Sequence, residues 1–324
     1  MIKIAPKPLR ITLGSDPELL LKNVVTNKVV SALRVLGETK EQPKVVQYED
    51  KKITIYLGQT KEHPIDLGDG VRAYSDSTLI ESAFPEVPSS ELLVQRLRSV
   101  FQKMKRRIGK NYTLLPQASH VFDKDELDHP LAWLIGCSPT INVWDKRINE
   151  PKPFTDGLRS SSFHVHVWSA DYKKDPDGPL MTVPTKEKMV KLLDVYLGVA
   201  SVLFDRDPTA LARRRLYGRS SECRFTPGGI EYRCLGSYSL RSQELVHLVT
   251  DLVDHTVSRF NDGTGDDALR LIKEADIRGA IDKCDAVLAN KVLVQSEMPA
   301  ALMKRIKADY KIAPSLEEAW ALEA

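Results

Sequence analysis

The chain of 324 residues is 42% hydrophobic and 28% charged, the composition of a globular protein able to bury a large core in one or two domains. Its 47 basic and 44 acidic residues leave a formal net charge of +3, too balanced to announce a nucleic-acid or membrane-surface partner. Four cysteines without C-x-x-C spacing argue against a disulfide scaffold or zinc knuckle, and the longest apolar run, Val195 to Phe204, falls short of the roughly 18 residues of a membrane span.

In chain order, Leu19 to Asn23 and Lys28 to Ala32 flank a Thr26-Asn27 turn, and Lys44 to Tyr48 and Lys52 to Leu57 flank Glu49-Asp50-Lys51, which predicts two antiparallel hairpins. Val71 to Asp76 and Ser77 to Ser82 continue in strand character up to the breaker Pro85. Ser89 or Ser90 then caps a predicted helix whose Leu93, Leu97, Val100, Phe101, Met104 and Ile108 make one buried stripe before Gly109. The Pro-punctuated stretch from Pro116 to Pro153 holds the apolar run Leu131 to Ile135 and the turn Gly136-Cys137-Ser138-Pro139, and it reads as strands and loops near a site. A second helix is expected from Thr185 through Leu203, ahead of Asp207-Pro208. From Ser239 the chain reads as helical to about Phe260, then across a loop at Asn261 to Gly265 into a helix from Asp266 to Val294. This order predicts an α+β fold, an antiparallel sheet backed by helices. No glycine-rich phosphate loop is present, so a nucleotide would have to be held another way.

Chemistry concentrates in short strands. Alternation places His164 and His166 on one face, with Phe163, Val165 and Val167 on the other, and it pairs Glu231 with Arg233 in the same manner. Asp16 and Glu18 repeat the pattern at the start of a strand. Taken singly, these motifs fit a solvated strand face, a cross-strand ion pair and a turn. Together they offer oxygens and imidazoles for a divalent cation and arginines for phosphate. The runs Lys105-Arg106-Arg107 and Arg213-Arg214-Arg215 read first as solvated helix faces.

Gly14 to Glu18, Asp76 to Glu81, Gly136 to Pro139, Arg159 to His166, Tyr217-Gly218-Arg219 with Arg224, and Gly229 to Arg233, in that order, resemble the phage carboxylate-amine ligases of the glutamine synthetase superfamily. The resemblance covers about residues 10 to 240. It implies a catalytic core over 1–240 with a curved, mainly antiparallel sheet; the helical extension expected over 241–324, packed on that core, is not covered by it. The concave face would hold two or three magnesium ions between ATP and a carboxylate that is activated as an acyl phosphate and joined to an amine. Asp16, Glu18, Glu81, His164 and Glu231 match the family's metal ligands, with Asp76 as a companion. His166, Arg159, Arg219 and Tyr217 fall to nucleotide or substrate binding, and Arg224 and Arg233 to catalytic charge neutralisation, with the run at Arg213 to Arg215 on the same approach.

The implied partners are small-molecule or peptide carboxylates and amines, without nucleic acid or membrane, in the cytoplasm, the host's if the chain is phage-encoded. Self-association is left open. Ser162 and Phe163 stand where the family usually carries small glycines, so a ring is expected against the nucleotide pocket. Glu222 and Asp156 are the nearest acids for activating the amine. A non-catalytic nucleotide-binding protein and a guanidino kinase are the alternatives on the same fold.

Overall fold

The structure is a computed structural model that describes residues 8–134, 140–149 and 156–323. The Gly136 to Pro139 motif and Cys137 lie outside the described residues. Strands β1 (Ile11–Gly14) and β2 (Glu18–Asn23) are separated only by Ser15-Asp16-Pro17. After β3 (Val29–Val30) comes a short helix the sequence pattern did not announce, α1 (Ala32–Gly37), and then the hairpin of β4 (Lys44–Tyr48) and β5 (Lys51–Ile55). Asn27 and Glu49 take left-handed φ values of 59° and 49°, the conformation that closes such tight turns. Next come β6 (Ile65–Asp66), β7 (Arg72–Asp76), β8 (Leu79–Ala83) and α2 (Ser90–Ile108).

In α2 the Ser89 hydroxyl accepts from Leu92 N, and Gly109 ends the helix at φ 77°. Leu97, Val100 and Phe101 on its inner face are fully buried, each worth roughly 1.5–3 kcal/mol relative to exposure. Its terminal basic run is spent locally, Lys105 on the Gly109 and Tyr112 carbonyls, Arg106 on Glu323 and Arg107 on Glu41.

The second half contributes β9 (Tyr112–Leu115), β10 (Ser119–Val121), β11 (Thr140–Asn142), β12 (Arg147–Asn149), β13 (Leu158–Ser160), β14 (Val165–Ser169), α3 (Val183–Leu193), α4 (Val199–Phe204), α5 (Ala210–Leu216), β15 (Glu222–Thr226) and β16 (Gly229–Tyr232). The helix expected from Thr185 to Leu203 starts two residues earlier and is interrupted by a π turn over Asp194–Gly198. Buried Asp194 accepts there from Trp144 Nε1, Ser221 N and the Tyr232 hydroxyl. Burial pushes its carboxyl up to about 7. A side chain at Gly198 would strike that hydroxyl, with a Cβ 2.2 Å from it.

The C-terminal part is α6 (Gln243–Asn261), α7 (Thr264–Leu271), α8 (Glu274–Lys283), α9 (Ala286–Gln295), α10 (Ala300–Ile306) and α11 (Leu316–Ala319). The single helix expected from Asp266 to Val294 is therefore three, broken at Ile272, which is extended, and at Cys284, which turns left-handed at φ 52°. Periodicity ran through both breaks because each piece presents an apolar face to one core.

One six-stranded sheet has the order β1-β14-β16-β15-β11-β12; the other runs β3-β2-β8-β7-β6, with β9 also on β2. The strand pairs within both sheets are antiparallel. The sheets meet where β1 gives way to β2, because Pro17 bridges Phe163 and Glu18 N donates to Ser162 O at 2.9 Å. The mixed α and β chain thus carries a curled antiparallel half-barrel backed by helices. Among the described residues no helix is long and apolar enough to cross a membrane.

Candidate metal and substrate site

Register places the functional side chains in rows. On the second sheet Glu18 of β2 faces Glu81 of β8, which faces Tyr74 of β7, and Asp76 follows two residues along the same face. On the first sheet His166 of β14 faces Glu231 of β16, which faces Arg224 of β15. The joint between sheets brings the rows together, with Asp16 at the turn. His164 Nδ1 and His166 Nε2 both lie against the same oxygen, Asp16 Oδ1, at 2.9 and 3.1 Å.

Two groups of three result, each with donor atoms within 4.8 Å of one another: Asp16, His164 and Glu231, and Glu18, Asp76 and Glu81. The five expected metal ligands thus converge, and Asp76, expected as a companion, belongs fully to the second group. A cavity of about 190 Å³ opens over them, lined by Asp16, Glu18, Tyr74, Asp76, Glu81, His164, Arg224 and Arg233 and by a turn at Gln59 to Glu62.

The groups differ in charge balance. Glu231 is already neutralised, since Arg233 Nε donates to its Oε1 at 2.5 Å and Arg224 Nη1 to its Oε2 at 3.0 Å. Burial and Asp16 push the Glu231 carboxyl up, but Arg233 and the two histidines outweigh them and hold it below its usual range. Burial alone would raise Asp16, yet His166 and His164 hold it well below. In the other group Arg233 also acts on Glu18 and Asp76, but burial outweighs it. Burial and the charges of Asp76 and Asp16 push Glu18 up to about 8, burial carries Asp76 to about 6, and burial with the charges of Asp16, Asp76 and Glu18 drives Glu81 well above its ordinary value. The Tyr74 hydroxyl donates to Glu81 Oε1 at 2.7 Å. An oxygen-only cluster with excess negative charge suits a hard divalent cation such as magnesium.

His164 gives a second indication of fit. Burial lowers its pKa and favours the neutral ring, and a proton on Nδ1 toward Asp16 leaves a lone pair on Nε2. That nitrogen is buried, makes no hydrogen bond, and faces Glu18 Oε1 at 3.8 Å. A buried lone pair without a hydrogen-bond partner fits a ring that meets a cation.

Other expected residues stand elsewhere. Arg159 is buried outside the cavity lining; it donates to the Asp156, Leu158 and Ala132 carbonyls and lies over the Trp133 ring at 5.1 Å. It supports the wall that carries Leu131 and Leu134 into the cavity. Arg219 is turned onto the Arg214 and Arg215 carbonyls, closing the end of α5. Tyr217 packs behind the site, its ring 5.9 Å from His164 and beside the Arg213 and Arg233 guanidiniums. His166 meets Asp16 from outside the cavity lining and packs edge-on to Trp168.

The run at Arg213 to Arg215 is divided: Arg215 is exposed, as a solvated helix face would be, whereas the other two turn inward. Arg213 is buried and donates to the Ser161, Cys234 and Arg233 carbonyls and the Ser162 hydroxyl, and Arg214 is buried against the Gly218 carbonyl. Glu222 accepts from Gly218 N, and Asp156 from Leu158 N, so both serve local turns. Phe163, expected against the nucleotide pocket, is 1% exposed and turned into the core on the opposite strand face. Tyr74 escaped the sequence reading although its period-two spacing from Asp76 signalled a shared face. Leu131 and Leu134 belong to the stretch expected near a site, whereas Lys61 sits in a turn, where no periodicity marks a cavity wall.

Residues 179–264 match the family model described as Phage phiEco32-like COOH.NH2 ligase-type 2. The matched segment contains Arg224, Glu231 and Arg233 and runs past the boundary expected at 240. No curated protein matches the chain.

Proposed function

We propose, from the premise that this chain belongs to the phage phiEco32-like COOH.NH2 ligase family, that it joins a carboxylate to an amine at the expense of ATP in a glutamine synthetase-like site. The carrying observation is that Asp16, Glu18, Asp76, Glu81 and His164, from separate parts of the chain, line one cavity with Arg224 and Arg233. When bound, ATP would supply the phosphoryl group that makes the carboxylate an acyl phosphate, and magnesium would screen the phosphate charge.

The chain's own part is to bind and to neutralise. Glu18, Asp76 and Glu81 would hold one cation, and Asp16, His164 and Glu231 a second. Arg224 and Arg233 face the cavity, where cations stabilise charge that grows on a transferring phosphoryl and a departing phosphate. Their bonds to Glu231 hold them in place beforehand, so little reorganisation is needed.

The test is an assay of ADP release with magnesium and ATP over paired carboxylates and amines, with mass spectrometry of the product. Release that needs both partners and yields an amide is expected; a stable phosphorylated guanidine would indicate a kinase instead. Nucleotide binding without turnover across a broad panel would favour the non-catalytic alternative, whose steric motive is weakened because Phe163 points away from the site.

A further inference from the structure

We propose that Lys61 receives an anionic group of the ligand at the end of the cavity remote from Arg224 and Arg233, and thereby helps set which acid the site accepts; this rests on the ligase reading above. Across the joined sheets the charges fall in strand order: Arg224 on β15, Glu231 on β16, Glu18 on β2, Glu81 on β8, Asp76 on β7, and then Lys61 in the turn before β6. The cavity therefore has a cationic pole at each end with carboxylates between. The poles differ in availability. Both arginines are engaged by Glu231, whereas Lys61 has no hydrogen-bond or ion-pair partner among the described residues. Its ammonium lies 6.0 Å from the Tyr74 ring centre, and Asp76 lies within reach of its charge as well as that of Arg233.

The turn that carries Lys61 is fixed from both sides. Gly58 N donates to His63 O at 2.7 Å, His63 N to Thr60 O at 3.1 Å, and Ser75 N to Gly58 O at 2.7 Å. The Gln59 side chain accepts from Tyr56 N and donates to Leu33 O, so the turn is tied to α1. An anchored turn spares the cost of ordering its backbone when an anion binds, so only the lysine side chain has to be fixed.

Facing surfaces define what fits. Ser77 Oγ donates to Ala132 O at 2.7 Å and ties the β7–β8 turn to the segment that brings Leu131 and Leu134 into the lining. An oxyanion on a carbon skeleton suits a lysine beside two leucines; a carboxylate of the acid substrate and a phosphate share that chemistry. The adjacent Glu18, Asp76 and Glu81 repel an anion until a cation neutralises them, so binding at Lys61 should need magnesium.

Calorimetry on the full chain decides, with ADP, inorganic phosphate and glutarate as separate probes in magnesium buffer. Lys61→Ala should weaken glutarate if the source is a carboxylate, or ADP and phosphate if it is a phosphate, by on the order of tenfold, and Lys61→Arg should restore it. Lys61 is exposed, so neither variant threatens the fold. A Lys61→Ala chain that binds every probe within about twofold of wild type overturns the proposal, as does wild type that binds none of them. Wild type that binds glutarate but no ADP sinks the ligase reading instead, and the glutarate arm then decides Lys61.

Discussion

Glu18 lies enclosed among Asp16, Asp76 and Glu81, and its carboxyl is pushed from 4.5 to about 8 by burial and then by the charges of Asp76 and Asp16. Because the folded chain holds this proton more tightly than the unfolded one, the group's contribution to stability is full below about pH 4.5 and is lost as the pH rises toward 8. Thermal melting of metal-free protein should therefore show a falling component across that window, and added magnesium should raise the melting temperature more at pH 8 than at pH 5. Glu18→Gln removes the buried charge: it should stabilise the metal-free protein by roughly 1–3 kcal/mol at pH 8, abolish the magnesium effect and stop turnover. A magnesium response that survives the substitution would place the cation elsewhere. Glu231 differs although it too was read as a ligand, because Arg224 and Arg233 already neutralise it. Sequence spacing revealed that these carboxylates face one way; it could not reveal which of them a guanidinium satisfies.

At the scale of elements, α2 was legible from one end to the other because its cap, its stripe and its terminal glycine are local signals. Ser89→Ala should cost about 1 kcal/mol, read as a lower urea midpoint at unchanged slope. The turn between α5 and β15 was legible only as a motif. Gly218 sits at φ 78°, and a Cβ there would lie 1.6 Å from Arg213 Nη1. Gly218→Ala must therefore displace the arginine that ties Ser161, Ser162, Arg233 and Cys234 together, at an expected cost of roughly 2–4 kcal/mol by denaturant unfolding. An alanine variant as stable as wild type would show that this network does not hold the site's strands. The π turn at Asp194–Gly198 was hidden for a related reason: its cause is a buried carboxylate bonded to Tyr232 and Trp144, 38 and 50 residues away.

For the whole molecule, the helices beyond residue 240 share the core with the sheets. Leu245, Leu248, Val249 and Leu252 of α6 are buried in the same cluster as Leu97 and Phe101 of α2, and Trp320 meets the Phe101 ring edge-on at 5.0 Å while its Nε1 donates to Leu240 O. A chain ending at residue 240 should therefore lose cooperative melting by circular dichroism, and a truncated chain with a sharp transition would show that the first 240 residues fold alone. The hairpins, the α2 boundaries and the shared faces of His164 with His166 and Glu18 with its neighbours were determined by the sequence itself, since turn chemistry and side-chain alternation act over a few residues. Tertiary structure alone decided that Asp76 joins Glu18 and Glu81 and that Arg159, Arg213 and Arg219 serve backbone carbonyls. Those outcomes depend on which strands become neighbours and which buried charges find partners, and both are set by contacts between residues far apart in the chain.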